Sequence, residues 1–134
     1  MTSKQRERKA IEFVIGYEKK QKREPEDVSK NSSHSGYDVK SGDRMIEVKG
    51  VGESWRTYNW QPLHTTEVAC LKRSPNDFYL YLVKFKDTAS DDIVGFYVIP
   101  GLELLNETNF RIEVENYGLR PISQRRLSKY LTDP

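Results

Sequence analysis

The chain has 134 residues, 36% of them hydrophobic and 31% charged, with a formal net charge of +2. That length fits one domain, residues 1–134, around a single hydrophobic core, and so mild a charge does not by itself announce nucleic acid. The lone Cys70 excludes a disulfide framework, His34 and His64 lack zinc-motif spacing, and no apolar stretch of about 18 residues or signal-peptide pattern occurs, so no membrane partner and a cytoplasmic location are expected.

Residues 4 to about 22 carry apolar side chains at helical spacing. With Ala10 at zero and about 100° per residue, Val14 and Tyr17 fall within about 40° of it, and Ile11 and Phe13 flank them. Glu7 then projects at about 60° and Glu18 at about 80°, on or beside the core face, whereas Glu12 at about 200° points to water. Residues 24–36, "EPEDVSKNSSHSG", have the Pro, Ser, Asn and Gly of an irregular connection. A hairpin follows, and residues 51–65 mix polar and aromatic side chains without a clear period, part third strand and part loop. "TTEVACLKRSP" (65–75) predicts a short helix with Thr65 as N-cap, Glu67 in the positive first turn and Pro75 beyond its end. "FYLYLVKF" (78–85) predicts a central strand buried on both faces, and "VGFYVIP" (94–100) a further strand. "FRIEVEN" (110–116) alternates with Phe110, Ile112 and Val114 inward, and a last short helix starts near Ser123, with Ile122 and Leu127 placed for a hydrophobic staple. The expected fold class is α/β with a mixed sheet: helix, strand hairpin with room for a further strand, helix, strand, then a C-terminal β-hairpin and short helix.

The hairpin "GYDVKSGDRMIEVKG" (36–50) carries the chemistry. Taking Gly42-Asp43 as a two-residue loop, with Gly first as a type II′ turn requires, Ser41 faces Arg44, Val39 faces Ile46 and Asp38 faces Glu47. Alternation then puts Asp38, Glu47 and Lys49 on one face, with Val39, Ile46 and Val48 behind them. Two carboxylates opposite each other repel. A hard divalent cation reverses that, because Mg²⁺ uses one or two carboxylates plus waters and phosphate oxygens. An ordinary exposed hairpin face, or a metal site without chemistry, has the same residue types.

"GYD" followed by "IEVKG" resembles the D…(E/D)xK signature of the restriction-endonuclease-like PD-(D/E)XK nucleases. The ordered blocks "ERKAIEFVIGYEKK", "EDVS", "GYDVKS", "IEVKG", "TTEV" and "FYLYLV", from residue 7 to about 85, resemble more closely the C-terminal domain of the plant protein NO VEIN, which is similar to Mrr-like restriction enzymes. The resemblance implies a restriction-endonuclease-like core of helix, antiparallel β-meander, helix and strand over 7–85, with 86–134 as a C-terminal extension. It also implies cleavage of DNA, or RNA, phosphodiesters with Mg²⁺ or Mn²⁺. Asp38 matches the metal-binding acid, Glu47 and the backbone carbonyl of Val48 further metal ligands, and Lys49 the catalytic lysine. The first-helix acid of the superfamily matches Glu7 best, in an E-x-x-A pattern with Ala10, and Glu18 otherwise. The sequence departs from the family's pattern at Tyr37, where a proline precedes the aspartate, and it lacks a Q-x-x-x-Q pair on the second helix; Gln61 and Glu67 are the nearest polar residues.

Two other readings stay open. A non-catalytic module of the same fold would bind nucleic acid or a partner protein through the basic segments at residues 1–24 and 120–129, with Trp55, Arg56, Tyr58 and Trp60 as contacts. A small protein-interaction domain with an accidental hairpin would leave the acids and Lys49 apart in space. A duplex-cutting enzyme of this size implies a homodimer or a larger partner protein, because two strands need two cleavage events.

Overall fold

The computed structural model describes residues 1–30, 36–52, 61–87, 90–113 and 118–134. In chain order the elements are α1 (Ser3–Lys20), β1 (Pro25–Asp27), β2 (Val39–Ser41), β3 (Arg44–Gly52), β4 (Gln61–Pro62), α2 (Thr65–Arg73), β5 (Phe78–Phe85), β6 (Ile93–Pro100), α3 (Gly101–Leu104), β7 (Phe110–Glu113), β8 (Gly118–Pro121) and α4 (Gln124–Leu127). A 3₁₀ turn over Ser128–Tyr130 follows α4.

Five strands form the main sheet in the order β1-β2-β3-β5-β6. Its pairs are antiparallel except β3 with β5, which is parallel. A parallel pair needs a crossover connection, and α2 lies within it. The expected order of helix, antiparallel meander, helix and strand is thus present. β4, β8 and β7 make a smaller antiparallel sheet.

The two faces of the main sheet bury different partners. Ala10, Ile11 and Val14 of α1 pack with Val39, Ile46, Val48, Tyr81, Val83, Phe85 and Phe96. Ring edges meet ring faces there, with Phe96 5.1 Å from Phe13 and 4.9 Å from Tyr17 between centroids. On the other face Leu80, Leu82, Val51 and Ile99 pack with Val68 and Leu71 of α2 and with Phe110, Leu119, Leu127 and Tyr130 from the C-terminal segment. β5 is therefore buried on both faces, as its near-continuous apolar run predicts.

Several boundaries differ from the sequence reading. α1 starts one residue earlier than expected, because Thr2 and Gln5 form a reciprocal capping box: Thr2 Oγ1 accepts the Gln5 N–H at 3.2 Å and Gln5 Oε1 accepts the Thr2 N–H at 2.8 Å. Residues 24–36 are not wholly irregular, since Pro25–Asp27 forms the edge strand β1. Proline at the first position of an edge strand forfeits no ladder bond. The third strand sought in 51–65 is instead this β1, while β3 itself runs on to Gly52 and β4 joins the second sheet. The N-cap of α2 is His64 rather than Thr65. β7 pairs with β8, and Val114 lies outside the described residues. α4 starts as expected, with Ser123 Oγ accepting the Arg126 N–H at 3.2 Å.

Candidate active site

The hairpin register matches the one read from the turn: Val39 pairs with Ile46, Lys40 with Met45 and Ser41 with Arg44. Gly42 has φ 59°, the left-handed conformation that the first loop position of a type II′ turn requires. The Asp38 N–H donates to the Ile46 carbonyl at 2.8 Å, which carries the pairing one residue beyond β2. Asp38 then turns its carboxylate along β3, where Oδ2 accepts the Val48 N–H at 3.0 Å.

Ile46 and Val48 face α1, so Glu47 and Lys49 face α2. The hairpin register puts Asp38 directly across from Glu47, so the two carboxyl groups are neighbours on this face. Lys49 Nζ lies 3.0 Å from Glu47 Oε2 and 3.1 Å from Glu67 Oε1 on the first turn of α2. The side chains of Lys49, Glu47 and Glu67 are 13%, 4% and 10% exposed, so the whole group is largely withdrawn from water. Glu67 is anchored in turn, because its Oε1 also accepts the His64 N–H at 3.2 Å.

Gly36 locks the two halves of this group together. Its φ is +100°, and a Cβ there would lie 2.6 Å from Cys70 Cβ and 2.7 Å from the Thr66 carbonyl oxygen. Only glycine lets the backbone two residues before Asp38 lie against α2 so closely. Sequence reasoning missed this contact; a glycine just ahead of a site aspartate is its only trace in the sequence.

The electrostatics follow from burial and crowding. Burial raises the Asp38 carboxyl above its ordinary value, against the opposing bonds from Glu47 and the Val48 N–H. Burial and the neighbouring Asp38 charge push Glu47 well above the ordinary carboxylate range, and Lys49 only partly offsets them. For Lys49 burial works against the ammonium, but the Glu47 and Glu67 carboxylates outweigh it and hold the group above its usual value. Two adjacent carboxyls in a dry site prefer to share a proton unless a further cation arrives.

The other candidates lie elsewhere. Glu18 is fully buried, but on the α1 face, across the sheet from Glu47. It accepts two bonds from Arg23, at 2.6 and 2.9 Å, and one from the Tyr81 hydroxyl at 2.8 Å. The fallback role of Glu18 beside Asp38 is corrected by this placement: the helical wheel locates its face on the helix but not which side of the sheet α1 covers. Glu7 is exposed on α1, and Glu12 is exposed as expected. The Val48 contact with Asp38 is made by its N–H; its carbonyl remains part of the functional reading. Trp55, Arg56, Tyr58, Trp60 and His34 lie outside the described residues. A groove of about 710 Å³ lies between α2 and the C-terminal segment, lined by Val68, Lys72 and Phe110 among others, and none of the Asp38, Glu47 and Lys49 side chains lines it.

Among the described residues no three His, Cys, Asp or Glu side chains are grouped to hold a metal. Asp38 and Glu47, facing each other across the hairpin, are two hard oxygen donors of the kind that suits a Mg²⁺-like ion keeping most of its waters. No helix among the described residues is long and apolar enough to cross a membrane.

Neither a comparison with curated proteins nor one with solved structures found a match. The family model described as "Protein NO VEIN, C-terminal" matches residues 6–98, which span most of α1, the meander, α2, β5 and most of β6, with Asp38, Glu47, Lys49 and Glu67 inside the match. The chain belongs to the NO VEIN C-terminal domain family.

Proposed function

We propose that this protein is a Mg²⁺- or Mn²⁺-dependent nuclease of the PD-(D/E)XK type that hydrolyses phosphodiester bonds of DNA. One observation supports the reading: buried Glu47 sits 3.0 Å from Lys49 and opposite half-buried Asp38 across the hairpin, the spacing that signature gives its acids and its lysine. Asp38, Glu47 and the backbone carbonyl of Val48 would hold the ion, which when bound polarises a phosphodiester and acidifies a coordinated water. Lys49 supplies a fixed positive charge for the oxygens that gain charge during cleavage, or orients the attacking water. Burial of the group excludes bulk water and strengthens each of these interactions. DNA is the preferred partner, RNA the alternative, and a second copy or a larger protein supplies the second cut in a duplex. The whole chain acts as one unit, and a cytoplasmic setting suits its single free thiol.

The test is cleavage of linear and circular DNA, and of RNA, by wild type and Lys49→Ala in Mg²⁺ and in Mn²⁺. Wild type is expected to cut, and Lys49→Ala to remain folded at the assay temperature and to cut at least about 100-fold more slowly. Equal cutting by the two proteins contradicts the assignment.

A second reading is favoured by the closure of the group on itself: Lys49 already satisfies both Glu47 and Glu67. A binding module needs no more than that. Nucleic-acid binding that stays strong in EDTA, with no cleavage in either metal, supports the module, and its affinity falls steeply with salt if phosphates are the contacts.

A further inference from the structure

We infer that Lys49 is the resident counter-cation of the Asp38–Glu47 pair, that an incoming divalent cation displaces it from Glu47, and that Glu67 is the positioning residue that keeps it. This inference rests on the metal reading above and adds to it a role for Glu67 and an order of events.

The geometry sets the competition. Lys49 Nζ occupies Glu47 Oε2 at 3.0 Å, so a cation that takes that oxygen and the neighbouring Asp38 carboxylate meets an ammonium already in place. Like charges cannot share that carboxylate in a site so dry, and Lys49 must leave it. A buried ammonium with no partner is strongly unfavourable. Glu67 removes that obstacle, since it lies 3.1 Å from the same Nζ before any exchange takes place. The lysine therefore moves from two carboxylates to one, without passing through an unpaired state.

Glu67 is held for this purpose by the backbone. Its Oε1 accepts the His64 N–H at 3.2 Å, and the turn that bears it is pinned to the Asp38 segment where Gly36 meets Thr66 and Cys70. Lys49 pulled to Glu67 stays beside the bound ion and does not swing into solvent. Glu67 acts through Lys49 and is not itself a ligand in this scheme.

The test is Mn²⁺ binding by titration calorimetry, without nucleic acid, to full-length wild type, Glu67→Gln, Lys49→Met and the double variant. In Glu67→Gln the new amide oxygen can still accept the His64 N–H, so α2 keeps its start. In the Lys49 background Glu67→Gln is expected to weaken Mn²⁺ binding about tenfold, because Lys49 then clings to Glu47. With Lys49→Met the same change is expected to alter affinity by no more than about twofold. Weakening of equal size in both backgrounds makes Glu67 a direct ligand and overturns the exchange, as does no change in either. Absence of saturable Mn²⁺ binding by wild type overturns the metal reading itself and the exchange with it. Lys49→Gln serves as the second charge-free background if Lys49→Met fails to fold.

Discussion

Two glutamates buried on opposite faces of one sheet have opposite fates. Glu18, 0% exposed, meets Arg23 and the Tyr81 hydroxyl, and these outweigh burial and hold its carboxyl below the ordinary value. Arg44 continues the network, donating to the Tyr81 oxygen at 2.8 Å and lying over the Tyr79 ring at 4.1 Å. Glu47, 3% exposed, meets another acid, and burial with that neighbour lifts its carboxyl well above the ordinary value. Burial alone therefore does not mark a functional acid. Donors around Glu18 favour its charge, whereas at Glu47 a single ammonium faces a pair of neighbouring acids and only partly offsets them.

Four substitutions separate these cases, and Gly36→Ala should cost most. A methyl group forced against Cys70 and Thr66 in a left-handed backbone is expected to destabilise the fold by about 4 kcal/mol, read by chemical denaturation, and to weaken Mn²⁺ binding by loosening Asp38 from α2. Glu18→Gln is expected to destabilise by about 3 kcal/mol, since it strands Arg23 beside a neutral group, yet to leave Mn²⁺ affinity unchanged. A loss of affinity there would put the two faces in contact and break the comparison.

Glu47→Gln is expected to do the reverse: to abolish Mn²⁺ binding while stabilising the metal-free protein by about 1 kcal/mol at neutral pH. The pH dependences have opposite signs. A raised folded-state value means that the stability Glu47 lends is present below its ordinary value of 4.5 and is lost as pH rises through the higher folded one. The advantage of Glu47→Gln over wild type should therefore grow as pH rises above 4.5. A depressed folded-state value means that the contribution of Glu18 is present above 4.5 and is lost as pH falls through the lower folded one. Denaturation of both variants across acid to neutral pH checks the two trends, and parallel trends would refute the distinction. The smallest effect is on the surface: Lys9→Ala removes a 3.7 Å pair with Asp91 between exposed side chains, and melting is expected to shift by no more than the equivalent of about 0.5 kcal/mol.

Much of the site was legible because a two-residue Gly-Asp loop fixes hairpin register, and register fixes which side chains share a face. The central strand was legible from its unbroken apolar run. Glu67 was visible only as a first-turn acid; nothing local says that a strand lysine lies across from it. Layering was not legible either. A helical wheel orients Glu18 on α1, but which face of the sheet α1 covers is decided by the crossover of β3, α2 and β5. β1 is too short to show alternation, and "GLRP" in β8 has the Gly and Pro of a turn.

The central claim is that Glu47, and not Glu18, holds a divalent cation. Thermal melting of wild type, Glu18→Gln and Glu47→Gln with and without saturating Mn²⁺ tests it most directly. At about 100 times the dissociation constant, bound metal is expected to stabilise wild type and Glu18→Gln by about 2.7 kcal/mol each and Glu47→Gln not at all. Equal stabilisation of all three, or none for wild type, contradicts it.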